Sequence, residues 1–397
     1  MADWKAQFDG ELAVAPPMDE EQLALVPARR GVFLLLAEGG EPLILTTAAD
    51  IRSRLRSRLT APDPGQGRKK TADLRAITAR ILWKLTDSHF ETDWRYLELA
   101  RTIWPSAFAR LIPWKGGWFV HVDPSARFPH FEKTNDASTA GGRCVGPFPS
   151  GRAAQRFIDS LADAFDLCRD SRCLARAPHG QPCPYLQMGK CLGACNGTIS
   201  MEEYRAVIAA AADFAAGRRE AFREQLTSRM KGAAGELAFE KAAALKARIG
   251  RLSEFDAQAY EQAAPLEDFR FVCIQRGPSR KAAKAFWVSG GGIVEAGTVG
   301  FPLVGQPLQE LLDRMKQLAC SALGPPKAER WTVSLAASYL FSSPQRRGLL
   351  LRWRADMDVA ELAGAIEKSA DMLAIKAAPP RRTKIVNESP PGPEGGV

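Results

Sequence analysis

"CPYLQMGKCLGACNG" runs from Cys183 to Gly197 and places three thiols in fifteen residues, with a fourth, Cys168, fifteen positions upstream. The spacing reads Cys168-x14-Cys183-x7-Cys191-x3-Cys195. Thiolates bind soft or borderline metals, and four of them saturate a tetrahedral zinc or a cubane cluster. The intervals are not the paired C-x2-C knuckles usual for structural zinc, which favours iron–sulfur, with zinc as the alternative. A set of buried free thiols without metal is the plainer reading of the same residues. Gly189, Gly193 and Gly197 would let the backbone turn tightly around a metal. Cys173 lies inside the span as a bystander or an alternative ligand, while Cys144, Cys273 and Cys320 stand alone and suit core positions.

The 397 residues suggest two to four domains, and a 46% hydrophobic content is enough to bury cores. The N-terminal stretch carries early acidic residues and no apolar signal core. The longest apolar runs, such as "GVFLLLA", fall short of the roughly 18 residues of a membrane span. The expectation is a cytoplasmic protein without a membrane partner, where clustered cysteines point to metal rather than disulfides. The net charge of +9 favours anionic partners. Arg52, Arg54, Arg56, Arg58, Arg68, Lys69 and Lys70 fall within nineteen residues, either as a solvated helix face and basic loop or as a nucleic-acid surface.

Along the chain, residues 1–28 read as a loose leader. "GVFLLLAEGGEPLILTTAADI" reads as two strands about a Glu-Gly-Gly turn and a helix capped near Asp50. Helices are expected from about Thr71 to Leu85 and from Glu91 to Ile103, the latter stopping before Pro105. "GGWFVHVD" is a strand, and "GPFPSGRAAQRFIDSLADAFDL" is a turn feeding an amphipathic helix. Residues 200–262 are strongly helical. "EDFRFVCIQRG", "KAFWVSGGGIVEAGTVGFPLV" and "WTVSLAA" read as strands, with a hairpin at Gly290–Gly292, and residues 376–397 as a disordered tail.

"GPFPS" before a helix, "FDLC" and then "PCPYLQMGKCLGAC" together resemble the UvrC family of bacterial nucleotide excision repair, including its shorter Cho-like members. The resemblance implies that Cys168, Cys183, Cys191 and Cys195 hold a [4Fe-4S] cluster. Residues 230–255 add a second landmark. By periodicity they form an αα-hairpin with Met230, Ala234 and Leu237 on one face and Leu245, Ile249 and Leu252 on another. "LAFEKAAALKARI" is similar to the family's UVR motif, which pairs with UvrB. The resemblance implies a UvrB-like helicase subunit as partner, met by Phe239, Glu240, Ala243, Leu245 and Ile249, with Phe239 and Leu245 as anchors.

The family opens with a GIY-YIG nuclease domain, and Gly31–Phe33, "LILTTAADIRSRLRSRL" and "ETDWRYLELARTIWP" align with its motifs. Hydrolysis there needs a metal-binding carboxylate, hydroxyls and cations. Phe33 and Ile44 replace the two motif tyrosines, and Thr46 and Thr47 replace the glycine and lysine. Arg58 stands for a third tyrosine and Tyr96 for the glutamate, so only Arg54 is retained. Glu98 lies about 200° around the helix from Tyr96, which leaves Asp93 as the one stand-in. No "GLDISH"-type strand of the family's second nuclease is seen.

The expected architecture is a multi-domain α+β chain. It comprises the leader, a degenerate GIY-YIG-like α/β domain (29–108), a Cys-rich module (109–199), a helical region with the UVR hairpin (200–262) and a β-rich domain (265–375). The expected function is DNA binding in excision repair together with a UvrB-like subunit and without incision, Arg52, Arg54, Arg56, Arg58, Lys69 and Lys70 contacting phosphates. An active single-incision endonuclease, with a divalent cation at Asp93 or Glu98, and a metal-bound adaptor acting away from DNA are the alternatives.

Overall fold

The computed structural model describes residues 4–15, 18–59, 74–114, 116–137, 141–257, 260–303, 305–321, 329–370 and 373. The segment expected as a loose leader belongs to the first domain. It supplies strand β1 (Gly10–Ala13) and helix α1 (Glu20–Leu25), which Asp19 and Gln22 close with a capping box and which buries Leu23. The expected strand pair is β2 (Gly31–Leu36) and β3 (Pro42–Ala48), and α2 (Ile51–Leu59) starts where Ser53 N–H donates to Asp50 Oδ1 at 2.9 Å.

The helix expected from Thr71 to Leu85 is corrected. Among its described residues only Leu74–Ile77 (α3) is helical, and Arg80–Leu85 forms β4. That strand sits between β1 and β2 in a sheet ordered β1-β4-β2-β3, hydrogen-bonded antiparallel on both edges. Pairing over long range overrides a local period here. Helix α4 (His89–Ile103) covers one face of the sheet, setting Tyr96, Leu99 and Ala100 on Val32, Leu34 and Leu36. Helix α2 covers the other, with Ile51 and Leu55 on Phe33 and Leu35. Both faces are covered, so all six residues of β2 are buried and its sequence is continuously apolar.

The middle of the chain holds β5 (Trp118–Val122), β6 (Glu132–Thr134), β7 (Arg143–Phe148), α5 (Gly151–Phe165) and the one-turn helices α6 (Ser171–Leu174) and α7 (Pro184–Gln187). The helical region follows as α8 (Met201–Ala215), α9 (Arg219–Gly235) and α10 (Phe239–Arg251), and β8 (Ala264–Pro265) then returns to complete a sheet ordered β6-β5-β7-β8. The boundary expected at 199/200 is not a break in the core. One cluster joins Phe148, Phe157, Leu161 and Phe165 to Tyr204, Phe214, Leu245 and Phe255.

The last sheet, β11-β10-β9-β12, is built from β9 (Arg270–Arg276), β10 (Ala282–Ser289), β11 (Gly292–Gly300) and β12 (Leu349–Arg352), with Gly290 and Gly291 as the expected hairpin turn. Helices α11 (Gly305–Ser321), α12 (Arg330–Leu340), α13 (Pro344–Arg347) and α14 (Val359–Lys368) make this domain more helical than expected. "WTVSLAA" is in α12, not in a strand. That helix is buried on nearly every side, so its apolar run carries no amphipathic period. Phe271, Cys273 and Phe286 pack on α12 and α4, and Val272, Ile274 and Trp287 pack on α11 and α14. The tail at 376–397 lies outside the described residues.

Candidate nucleic-acid interface, cysteine cluster and hairpin tip

The four arginines of α2 divide into two pairs. Arg52 donates from Nε to Val26 O at 2.7 Å and from Nη2 to Ala24 O at 2.9 Å, tying α2 to the C-terminal end of α1. Arg56 makes a bidentate pair with Glu20 at 2.9 and 2.7 Å, which lowers the Glu20 carboxyl and raises the guanidinium. Arg54 is exposed, and neither its side chain nor that of half-buried Arg58 has a hydrogen bond or ion pair among the described residues. They lie one turn apart, and burial followed by the Arg54 charge lowers the Arg58 guanidinium. Two like charges held together without a counter-ion suit an anionic ligand. Of the six basic residues expected to touch phosphate, Arg54 and Arg58 are available, Arg52 and Arg56 are engaged with α1, and Lys69 and Lys70 lie outside the described residues.

The positions aligned with nuclease residues do not form one site. Phe33 points to the α2 face of the sheet and pairs with Thr46, whereas Tyr96 packs on the opposite face. Tyr96 is buried, and its hydroxyl donates to Leu111 O at 3.1 Å. Asp93 Oδ2 accepts from Tyr339 Oη at 2.6 Å and from Arg346 Nη2 at 3.1 Å, so the stand-in carboxylate is bound to the C-terminal domain. Glu98 pairs with Arg95 at 2.9 Å.

The cysteines are neighbours around α6, α7 and the turn at Ala194–Asn196. Cys168 Sγ donates to Asp170 O at 3.3 Å. The neighbouring Cys191 thiol, followed by burial, raises Cys168, and its interaction with Cys168 holds Cys191 down at about 6. Burial first, and then the nearby Cys191, Cys183 and Cys173, raise Cys195. The left-handed backbone of Gly189, Gly193 and Gly197 (φ 68, 75 and 83°) makes the turns that gather them. Soft thiol donors in one neighbourhood fit a soft metal or cluster by chemistry, although no three metal-ligating side chains converge at coordination geometry among the described residues. Cys173 lies in this neighbourhood too.

Helices α9 and α10 form the expected hairpin. Its tip exposes Leu237 (71%) and Phe239 (67%), and Leu237 adopts φ 57°. Glu240 and Ala243 are exposed beside them, and Ile249 is half-buried. Leu245 is 8% exposed and packs into the chain's own core, where it anchors the hairpin to the body instead of facing outwards.

A second polar cluster had no signal in the sequence. Glu91, 3% exposed, accepts from Lys284 Nζ at 2.7 Å, and Asp87 pairs with the same ammonium at 2.9 Å. These partners lie 193 positions apart in one case, and only the fold unites them.

Residues 118–214 match the family profile of the UvrC/Cho excinuclease middle domain. The chain is 26% identical over 279 residues to the UvrABC system protein C of Acetivibrio thermocellus, a match spanning 69% of this chain and 44% of that protein. It is 31% identical over 254 residues to the protein of the same name from Nitrobacter hamburgensis, spanning 63% and 36%. With that of Bradyrhizobium diazoefficiens it is 30% identical over 245 residues, spanning 60% and 34%. The chain therefore spans less than half the length of these curated relatives. No solved structure matches it. No helix among the described residues is long and apolar enough to cross a membrane.

Proposed function

Through its middle domain this chain is a relative of the UvrC/Cho excinuclease family, and on that premise we propose that it serves nucleotide excision repair as a DNA-binding component without incision activity of its own. The observation that carries the second half is Tyr96. Where the family has its metal-binding glutamate, this chain has a phenol buried against β2 and hydrogen-bonded to backbone, so a divalent cation finds no carboxylate there. Arg54 and Arg58 supply phosphate contacts that position a duplex without reading sequence. The hairpin tip, with Leu237, Phe239, Glu240 and Ala243, offers an apolar knob to a UvrB-like subunit.

The thiols of Cys168, Cys183, Cys191 and Cys195 would hold a [4Fe-4S] cluster, with zinc as the alternative. Bound there, the group would cross-link loops that otherwise carry little regular structure. Iron and acid-labile sulfide in the purified protein, lost on Cys191→Ser, support the cluster, whereas zinc in a colourless protein rejects it.

The deciding experiment supplies the protein with a UvrB-like partner, damaged duplex and Mg²⁺ or Mn²⁺. Salt-dependent binding without strand cleavage is expected. Cleavage that disappears in Arg54→Ala overturns the non-incising reading.

A further inference from the structure

Helix α7 is a single turn, and backbone hydrogen bonds fix both of its ends. Leu186 N–H donates to Cys183 O and Met188 N–H to Pro184 O, each at 3.0 Å. Past Met188 the chain reverses. Lys190 N–H donates to Tyr185 O at 2.8 Å and Gly189 N–H to Leu186 O at 3.0 Å, with Gly189 in the left-handed region at φ 68°. Tyr185 and Met188 stand three positions apart in this closed turn, and both are exposed, at 41% and 58%.

An exposed ring is ordinarily mobile, but this one is held. The Arg169 guanidinium carbon lies 5.0 Å from the centroid of the Tyr185 ring, and Arg169 is itself paired with Asp163 of α5 at 2.5 Å. Helix α5 is rooted in the core through Phe157, Leu161 and Phe165. One face of the ring is therefore backed by a side chain fixed to a rigid helix. The surroundings are cationic. From Cys168 to Ile199 the chain has Arg169, Arg172, Arg176 and Lys190 against one carboxylate, Asp170, which Arg172 occupies. Lys190 is exposed, and its ammonium has no hydrogen bond or ion pair among the described residues. A held aromatic face next to an unpaired cation is the combination on which single-stranded nucleic acid stacks. The core of a protein–protein interface is instead depleted of lysine.

We propose that Tyr185, backed by Arg169, is a stacking platform for an unpaired base of a DNA strand, with the Lys190 ammonium on the neighbouring phosphate. The proposal rests on the reading of this chain as a DNA-binding protein and gives that binding a preference for strand that is already open. Phosphate contacts from α2 are indifferent to whether the bases are paired, whereas Tyr185 engages only a base that has left its stack. The ring carries no charge and releases no counter-ion, so its share of the binding is insensitive to salt, unlike that of Lys190.

The test compares two DNAs with the full chain across a salt series, a perfect duplex and the same duplex with a central run of unpaired bases. Each carries fluorescein for anisotropy or, in a second preparation of the opened DNA, 2-aminopurine among the unpaired bases. The wild type is expected to favour the opened DNA and to quench the 2-aminopurine. Tyr185→Leu, which keeps apolar bulk without a ring, is expected to weaken binding to the opened DNA about tenfold and to lose the quenching. Its salt slope and its duplex affinity stay those of the wild type, and Tyr185→Phe retains everything. Lys190→Ala lowers the slope of log K against log salt on the opened DNA by about 0.7. Tyr185→Leu that matches Tyr185→Phe in affinity and quenching overturns the platform. So does Tyr185→Leu that loses affinity for both DNAs alike, the mark of a folding role. A wild type that binds both DNAs equally with a clear salt slope overturns the platform and leaves the DNA-binding reading standing. A wild type with no salt-dependent binding to either overturns both.

Discussion

Arg52 and Arg54 sit two positions apart in α2 and do opposite work, because a helix turns them to different neighbours. Arg52 spends its guanidinium on two carbonyls at the end of α1, and Arg54 spends its own on nothing within the described residues. Arg54→Ala is therefore expected to reduce the salt slope of duplex binding by about one and leave the melting temperature in place. Arg52→Ala should instead cost about 1 kcal/mol of stability with DNA affinity nearly unchanged, as for a part-buried side-chain hydrogen bond to backbone. If both variants lose affinity equally, the division of α2 into structural and available arginines is wrong. Tyr96 sets the companion test. Tyr96→Glu, which restores the family residue type, places a carboxylate against Val32, Leu34 and Leu36, and is expected to lower the melting temperature without giving Mn²⁺-dependent nicking. Nicking by that variant would show that the site's other replacements are tolerated. The basic character of α2 was legible in the sequence; which of its arginines were free was not, since the answer depends on where α1 ends.

At the scale of elements, the hairpin shows two kinds of apolar residue. Leu245 is buried and Phe239 is exposed, although both belong to one sequence motif. Leu245→Ala should cost about 2.5 kcal/mol, read as a lower urea midpoint. Phe239→Ala should leave the midpoint alone and abolish capture of a UvrB-like subunit. Leu237 carries a further signature, because a branched side chain at φ 57° is strained by roughly 1 kcal/mol and here is exposed as well. Leu237→Gly should raise stability and weaken partner capture, a trade that a residue kept for folding alone would not show. Helix α5 was readable because it combines the Ser150 cap with a strong apolar period, and α10 was readable from its apolar period without a side-chain cap. Strand β4 and helix α12 were misread for opposite reasons. The first is set by pairing with β1 and β2, far away in sequence, and the second is so fully buried that its period disappears.

On the scale of the whole molecule, the N-terminal and C-terminal sheets are fastened by buried charge as well as by the Phe90, Trp94 and Phe286 contacts. Burial opposes the Lys284 ammonium, but the hydrogen bonds it donates to Glu91 and Asp87 outweigh it and leave its pKa raised. Lys284→Met strands Glu91 in a dry site and should cost about 3 kcal/mol, seen as faster amide exchange in α4 and β10 before global unfolding. No sequence period announces such a contact, whereas α10 carries an apolar one, which is why that helix was legible in advance and the junction was not. The same junction sets a pH dependence through His89. Burial first, then the Arg30 charge and the Arg346 charge, lower its pKa, and Asp93 only partly offsets them. The folded chain thus binds the His89 proton more weakly than the unfolded chain, whose histidine titrates near about 6.5. The contribution is intact above that value and is lost as pH falls from it through the lower folded value. Urea unfolding at pH 7.5 and at pH 5, values chosen about one unit or more either side of that unfolded titration, should show a larger acid loss in the wild type than in His89→Gln. The glutamine keeps a hydrogen-bonding group beside Arg30 but takes up no proton. Equal acid losses in the two proteins would mean that His89 takes up its proton as readily in the folded chain as in the unfolded one, and that the neighbouring arginines do not repel its charge.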